Sequence, residues 1–117
     1  VLDVKFPGLP SHPDYELAKR QLKIIPAVLT IKLKSPNAAE RFIKKCRLFG
    51  EKVSFGSADS RLELPFRMSH ATNSEKDLAA KGICKSTVRI AVGLENVDDL
   101  ILDIVQALKC TISEQVC

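Results

Sequence analysis

Apolar and polar residues alternate in four short runs, and this pattern predicts strands because successive strand side chains point to opposite faces. The clearest runs surround Ile31 and Ile90, where apolar residues occupy every second position. Glycine, proline and small polar residues bound these runs, as is typical of turns. We therefore predict strands at residues 1–6, 27–33, 52–55 and 87–92.

Four other segments place apolar residues three and four positions apart, the spacing of one helical face. Their starts carry a proline or a capping side chain, at Pro13, Ser35, Ser74 and Asn96. The predicted helices cover residues 13–23, 36–47, 74–82 and 96–109. The last helix carries an apolar stripe that we expect to face a core: Val97, Leu100, Ile101, Ile104, Val105 and Leu108.

Strands and helices alternate along the chain, but each strand is polar on one face. A sheet covered by helices on both faces would need strands that are apolar on both sides. The pattern therefore predicts an α+β fold, with a small, mainly antiparallel sheet and helices packed on one face. We expect Thr30, Lys32 and Arg89 on or near the open face. Residues 61–73 show little periodicity, and no strand is predicted there.

Composition fits one ordinary domain, since the 117 residues are 45% apolar and 27% charged. A formal charge of +4 permits anionic partners without requiring them. The sequence lacks an apolar run near the roughly 20 residues of a membrane helix and starts without a signal-peptide pattern. We therefore expect no membrane partner and a cytoplasmic location. The missing initiator methionine suggests a fragment or an excised domain.

Spacing alone reveals no catalytic or metal site. The sequence has no Gly-x-Ser-x-Gly element and no glycine-rich phosphate loop. His12 and His70 have no ligand pattern beside them, so we interpret them as cap or core residues. Because the sequence has no Cys-x-x-Cys pair, we expect the thiols to be reduced. An even number of cysteines also permits the alternative of two disulfide bonds. The cysteines are Cys46, Cys84, Cys110 and Cys117.

Three blocks of sequence resemble a known enzyme family. Residues 6–21 read FPGLPSHPDYELAKRQ, residues 53–60 read VSFGSADS, residues 62–71 continue as LELPFRMSHA, and residues 88–95 read VRIAVGLE. They are similar to successive segments of the C-terminal domain of the Cys/Met-metabolism (transsulfuration) pyridoxal-phosphate enzymes. The later two blocks match the S-L-G-G-x-E-S and R-L-S-V-G-[IL]-E segments. The resemblance covers residues 1–109, is strongest toward the cystathionine γ-lyase members, and leaves 110–117 as a C-terminal tail.

The resemblance implies two substrate-binding residues. The arginine of the R-L-S-V-G strand, here Arg89, binds the α-carboxylate of the amino-acid substrate, and the serine of S-L-G-G, here Ser54, lies beside it. A planar guanidinium suits this role because it offers two parallel N–H donors to a carboxylate. We interpret His70, Asp59 and Ser60 as structural members of the motif.

The cofactor chemistry implied by the resemblance depends on a large domain that precedes this one in the family. That domain supplies the lysine bound covalently to pyridoxal phosphate and the residues that hold the cofactor's ring nitrogen and phosphate. Lys85 lies inside the C-terminal domain, so we do not assign it that role. The resemblance thus implies pyridoxal phosphate in the complete enzyme, and we expect this chain alone to bind none, to bind no metal and to be inactive.

The implied function is that of a substrate-carboxylate-binding domain in a sulfur amino-acid lyase, which performs β- or γ-elimination in transsulfuration. The implied partners are the sulfur amino acid and further copies, in a homotetramer formed through the large domain.

The sequence also departs from the family pattern. Residues 22–28 are branched or proline-containing where the family is glycine-rich, and Ser57 replaces the second glycine of S-L-G-G. Asp59 replaces a glutamate, while Arg61 and Arg67 add charges. A non-catalytic truncated paralogue, acting by association with a full-length relative, is therefore an alternative.

A basic nucleic-acid-binding module is a further and less favoured alternative. One tyrosine and no tryptophan provide no stacking platform for bases. The basic residues in question are Lys32, Lys34, Lys44, Lys45 and Arg47.

Overall fold

The computed structural model describes residues 1–52, 56–69 and 72–113. Most of the strand predicted at 52–55 lies outside these residues, as do Ser54, His70 and Cys117. The described elements are, in chain order, β1 (Asp3–Lys5), α1 (Tyr15–Gln21), β2 (Val28–Lys32), α2 (Pro36–Lys45), β3 (Gly50–Glu51), β4 (Arg61–Glu63), α3 (Pro65–Ser69), α4 (Glu75–Ala80), β5 (Thr87–Ala91) and α5 (Val97–Ser113).

The described strands form one sheet in the order β1-β2-β5-β4-β3. Strands β3 and β4 run parallel, whereas the other described pairs are antiparallel. The longest pair, β2 and β5, places Ile31 opposite Val88 and Leu29 opposite Ile90, so the apolar residues of both strands share a face. The predicted small, mainly antiparallel sheet of an α+β fold is confirmed.

The core joins this apolar sheet face to helices α2 and α5, which also contact each other. Phe42 of α2 and Ala107 of α5 are completely buried. Removing such apolar surface from water stabilises the fold by about 25 cal/mol per Å². The core cluster comprises Ile31, Leu33, Ala38, Ala39, Phe42, Ile43, Phe49, Leu62, Leu64, Val88, Ile90, Leu100 and Ala107.

Three helices begin where the sequence predicts, and each start is capped by a side chain. The Ser35 hydroxyl accepts a hydrogen bond from the Ala38 N–H at 3.1 Å. Ser74 and Asp77 form a capping box at the start of α4. Asn96 Oδ1 accepts from two N–H groups in the first turn of α5, at 2.9 and 3.2 Å. These caps are local signals, so they can be predicted without knowledge of the tertiary structure.

The expectation that residues 61–73 hold no strand is wrong. Strand β4 lies within the stretch where no strand was predicted, yet it pairs with β5 along its whole length. Strand β3, at Gly50–Glu51, lies just before the strand predicted at 52–55, most of which is outside the described residues. Strands of two or three residues are too short to show alternation, and their neighbours in the sheet determine them instead.

Only part of the apolar stripe predicted on α5 belongs to the buried face of the helix. Leu100 is buried, and Ile104 and Leu108 pack against the core. Val97 is instead 62% exposed, and Ile101 and Val105 are also exposed. The buried face includes two polar residues, Asp103 and Thr111, whose hydrogen bonds compensate for their burial.

Asp103 fastens α5 to the segment that follows α2. Its carboxylate accepts hydrogen bonds from the backbone N–H groups of Arg47 and Leu48, at 2.8 to 3.0 Å. Gln106 donates a further bond at 3.0 Å. Although burial favours the neutral acid, the Arg47 and Leu48 N–H donors lower the pKa of Asp103 below its usual value. A charged carboxylate therefore belongs to the native packing of α5.

Helix α5 continues to Ser113, so residues 110–113 of the predicted C-terminal tail are helical. Thr111 is buried, and its hydroxyl donates to the Ala107 carbonyl at 2.7 Å. The domain boundary at 109 stays a prediction.

Helix α1 differs from the others because none of its residues is buried. Leu17 is exposed, and so are Leu22, Ile24 and Ile25 in the segment that follows. A seven-residue helix with an uncovered apolar side gains little stability from packing. Within the described residues, no helix is long and apolar enough to cross a bilayer.

Asp103→Asn should lower the free energy of unfolding by about 1.5–3 kcal/mol at pH 7, because charge-assisted hydrogen bonds are lost. The folded pKa of Asp103 is lowered, so its stabilisation is complete above the unfolded value of about 3.9 and disappears as pH falls through the folded pKa. Urea unfolding at pH 7 and pH 3 should show a difference that shrinks in acid. Asp98→Asn, an exposed change on the same helix, is the control, and equal stability of Asp103→Asn and wild type at pH 7 would contradict the assignment.

Candidate functional site

Arg89 occupies the middle of β5, the central strand of the sheet. The strand register places it directly opposite Thr30 of β2 on one side and Glu63 of β4 on the other. Val88 and Ile90 point into the core, so alternation turns Arg89 to the opposite face. Arg89 therefore projects from the central strand, which is hydrogen-bonded to a neighbour on both sides.

Arg89 and Glu63 form a cross-strand ion pair, with 2.8 Å between Nη1 and Oε1. Glu63 is 5% exposed, whereas the Arg89 side chain is 31% exposed. A buried carboxylate needs a nearby cation to offset its lost hydration. The site is therefore a half-buried guanidinium with a buried carboxylate behind it.

The sheet face that carries Arg89 is less open than predicted. Lys32 is exposed there and Thr30 is half-buried, in keeping with the expectation. Thr87 and Ala91 lie on the same face of β5 but are buried. Helix α3 contacts β5, and this contact accords with partial cover of the face. Arg89 thus lies at the border between covered and exposed surface.

A hydrogen-bonded link between two loops holds β4 beside β5. The Glu95 carboxylate accepts from the Ser60 N–H at 2.9 Å and from the Ser60 hydroxyl at 2.8 Å. The same hydroxyl accepts from the Gly93 N–H at 2.8 Å, and the Leu94 N–H donates to the Ala58 carbonyl at 2.8 Å. The Ser60 donors hold the pKa of Glu95 below its usual range. Ser60 is completely buried, which makes it the centre of the link.

Gly93 allows these two loops to touch backbone to backbone. A Cβ at this position would lie 2.6 Å from the carbonyl carbon of Asp59 and 2.7 Å from the backbone nitrogen of Ser60. Atoms that are not bonded to each other do not approach this closely, so a Cβ at this position would displace the backbone of residues 58–60. The glycine of the V-G pair is therefore required by space.

Asp59, Arg61 and Arg67, which depart from the pattern of the resembling sequences, all form ion pairs. The Asp59 carboxylate accepts from the Ser57 hydroxyl and from the Arg61 guanidinium, and these bonds lower its pKa to about 2. Arg67 pairs with Glu40 at 2.7 Å. Both arginines are thus held in ion pairs.

The histidine that the structure describes makes a local hydrogen bond ahead of α1. His12 Nδ1 accepts a hydrogen bond from the Asp14 N–H at 3.0 Å, just before α1 begins. The other histidine, His70, and the predicted substrate-binding residue Ser54 lie outside the described residues.

The three described cysteines, Cys46, Cys84 and Cys110, are free thiols. Burial raises the pKa of Cys46 to about 12. Burial also opposes ionisation of Cys84, but hydrogen bonds from Ser86 and Thr87 outweigh it and lower that pKa. Among the described residues, no three His, Cys, Asp or Glu side chains come together as a metal site would require.

Sequence reasoning missed Glu63, although a signal is present. Glu63 lies between Leu62 and Leu64, and both leucines are buried in the core. This alternation turns the carboxylate to the face opposite the core, where Arg89 lies. Three residues give too short a pattern to predict a strand without knowledge of its partner.

The sequence model of the family described as "Cys/Met metabolism PLP-dependent enzyme" matches residues 1–109. This chain belongs to that family. The resemblance inferred from the three sequence blocks is therefore confirmed.

Named relatives within the Cys/Met metabolism family agree. The chain is 45% identical over 110 residues to cystathionine gamma-lyase of Rattus norvegicus, covering 93% of this chain and 28% of that protein. It is 44% identical over 107 residues to L-methionine gamma-lyase of Pseudomonas deceptionensis, covering 91% of this chain and 27% of that protein. The crystal structure of cystathionine gamma-lyase from yeast superposes with a TM-score of 0.90 at 36% identity, covering 96% of this chain and 29% of that one.

The chain thus spans little more than a quarter of the length of these family members.

Lys85 makes two contacts at the surface. Its ammonium lies 3.0 Å from the Glu75 carboxylate and 5.3 Å from the centre of the Phe66 ring. The side chain is also 55% exposed. These contacts make Lys85 an ion-paired surface residue.

Gly93→Ala should lower the free energy of unfolding by about 1–3 kcal/mol, because the new methyl group displaces the backbone of residues 58–60. Gly50→Ala is the matched control, since a Cβ there meets no atom within 4 Å. Urea unfolding of the two variants measures the difference. A Gly93→Ala protein as stable as Gly50→Ala would show that the loops are not in contact.

Proposed function

We propose that this chain is the C-terminal, substrate-carboxylate-binding domain of a pyridoxal-phosphate-dependent sulfur amino-acid lyase of the cystathionine gamma-lyase type. The proposal extends to β- or γ-elimination in transsulfuration by a homotetramer in the cytoplasm. The observation that carries it is Arg89, a half-buried guanidinium fixed at the centre of the sheet in a chain of this family.

Arg89 has the chemistry for the α-carboxylate of an amino acid. Its guanidinium is planar and always charged, and two of its N–H bonds match the spacing of the two carboxylate oxygens. A half-buried position strengthens the attraction, because fewer water molecules screen it. Binding at the carboxylate leaves the rotation about Cα restricted, so the bonds to be broken are held in one orientation.

Ser54 is proposed as the neighbour of Arg89 in the substrate pocket. Support comes from its place in the family's S-L-G-G segment. The next described residues, 56–60, belong to the loop that Ser60 and Glu95 hold against the end of β5. A serine hydroxyl two residues before such a fixed loop is a suitable second donor to a carboxylate.

Pyridoxal phosphate, when bound in the complete enzyme, supplies the electron sink for the carbanion formed at Cα. The contribution of this chain's own residues is to bind and orient the amino acid. Arg89 holds the carboxylate.

The alternative is a non-catalytic truncated paralogue that acts by association with a full-length relative. The uncovered apolar surface of α1 and residues 22–25 suits a chain that must associate with further polypeptide. Both functions would cover this surface, so it does not discriminate between them.

The native mass and visible absorbance of the protein from its natural source discriminate directly. We expect a species several times heavier than 12.9 kDa with the yellow colour of bound pyridoxal phosphate. A colourless species near 12.9 kDa would instead establish the truncated paralogue.

Arg89→Ala in the complete enzyme should raise KM for the amino-acid substrate and lower kcat/KM by about a hundredfold, since an ionic bidentate contact is lost. Steady-state kinetics with cystathionine and with methionine test this. Arg67→Ala, which removes an exposed arginine of another ion pair, is the control and should leave both constants unchanged. Wild-type kinetics in Arg89→Ala would remove Arg89 from carboxylate binding.

A further inference from the structure

We propose that Glu63 is a positioning residue, which fixes the Arg89 guanidinium in the orientation that receives the substrate carboxylate. This inference rests on the proposed function of Arg89. The observation that carries it is the cross-strand pair of Glu63 in β4 and Arg89 in β5.

The two residues are placed by the backbone and not by chance contact of flexible side chains. Glu63 and Arg89 are register partners in an antiparallel pair, so their Cβ atoms lie about 5 Å apart on the same face. The Nη1–Oε1 distance is 2.8 Å. Glu63 is buried, so its carboxylate has little room to move. A fixed anion next to a long, flexible cation restricts the cation far more than the reverse.

The contact works through charge and proximity. Both Glu63 oxygens are shielded from solvent, and Nη1 of Arg89 lies 2.8 Å from Oε1. Glu63 therefore holds the guanidinium beside β4 through this ion pair.

The neighbouring strands reinforce this direction. Thr30 lies opposite Arg89 on the β2 side, and Lys5 lies opposite Thr30 one strand further. Strand spacing puts Lys5 about 10 Å from Arg89 across the sheet. Across the sheet the row is therefore Lys5, Thr30, Arg89 and Glu63. The positive charge of Lys5 repels the Arg89 guanidinium, and the negative charge of Glu63 attracts it.

Fold stability alone is a poor reason for this pair. Burying a carboxylate is costly, and an apolar pair of similar volume at such a position generally stabilises a protein equally well or better. Orientation of Arg89 is what an apolar partner could not supply. The buried acid therefore has a functional explanation in the complete enzyme.

The test compares KM and kcat of Glu63→Gln in the complete enzyme, with the amino-acid substrate and with its α-carboxamide analogue. We expect KM for the carboxylate substrate to rise about tenfold while kcat changes by less than about twofold. The KM of the carboxamide should stay unchanged, because it presents no anion to Arg89. A merely structural role would not separate the two compounds.

Two matched variants isolate the effect. Asp103→Asn removes another buried carboxylate but acts on the segment after α2, and Glu40→Gln breaks an exposed Arg–Glu pair of similar length. Neither should change KM. If Glu63→Gln does not accumulate as folded protein, Glu63→Asp carries the test, because it keeps the charge but is one methylene shorter. A raised KM in Glu63→Asp is then expected, and a wild-type KM would overturn the inference.

Arg89→Ala is measured alongside, so that the two proposals can fail separately. A raised KM in Arg89→Ala with wild-type KM in Glu63→Gln overturns the positioning role and leaves carboxylate binding by Arg89 standing. A wild-type KM in Arg89→Ala overturns both.

Discussion

The contact between Gly93 and the backbone of residues 58–60 is the constraint on which the site depends. Because no side chain separates the two loops, Ser60 can reach both the Gly93 N–H and the Glu95 carboxylate. The loops lie at the ends of β4 and β5, and fixing them fixes the register of those strands. Register in turn decides whether Glu63 or a neighbour lies opposite Arg89.

The two faces of the sheet are specialised. One face is apolar and packs against α2 and α5, where volume and shape decide stability. The other face carries charges on four adjacent strands, β1, β2, β5 and β4, where sign and distance decide the interactions. Strand alternation supplies both properties from one short segment of chain. Within β5, substitutions at Val88 and Ile90 therefore affect the packing of the core, whereas a substitution at Arg89 affects the charges of the opposite face.

The sequence predicted the features with local causes. Caps at Ser35, Ser74 and Asn96 marked three helix starts, and alternation around Ile31 and Ile90 marked the two longest strands. Strand β4 escaped prediction because β5, in another part of the chain, determines it. The same reason hid Glu63.

The stripe on α5 shows a related limit to prediction. The apolar pattern predicted that Val97 and Ile101 face the core, whereas the buried face includes Asp103. Asp103 can be buried because the backbone N–H groups of Arg47 and Leu48, after α2, donate hydrogen bonds to its carboxylate. Arg89 was named through family resemblance, since an arginine in a strand has no distinctive pattern of its own.

The uncovered helix α1 has a consequence for the order in which this polypeptide becomes ordered. Seven residues are fewer than an isolated helix needs in water, and the rest of the described chain buries none of them. Its amide hydrogens should exchange with solvent faster than those of α2 and α5 until another surface covers it. Docking would then include folding, so the conformational entropy lost by α1 would weaken association and make it easier to reverse.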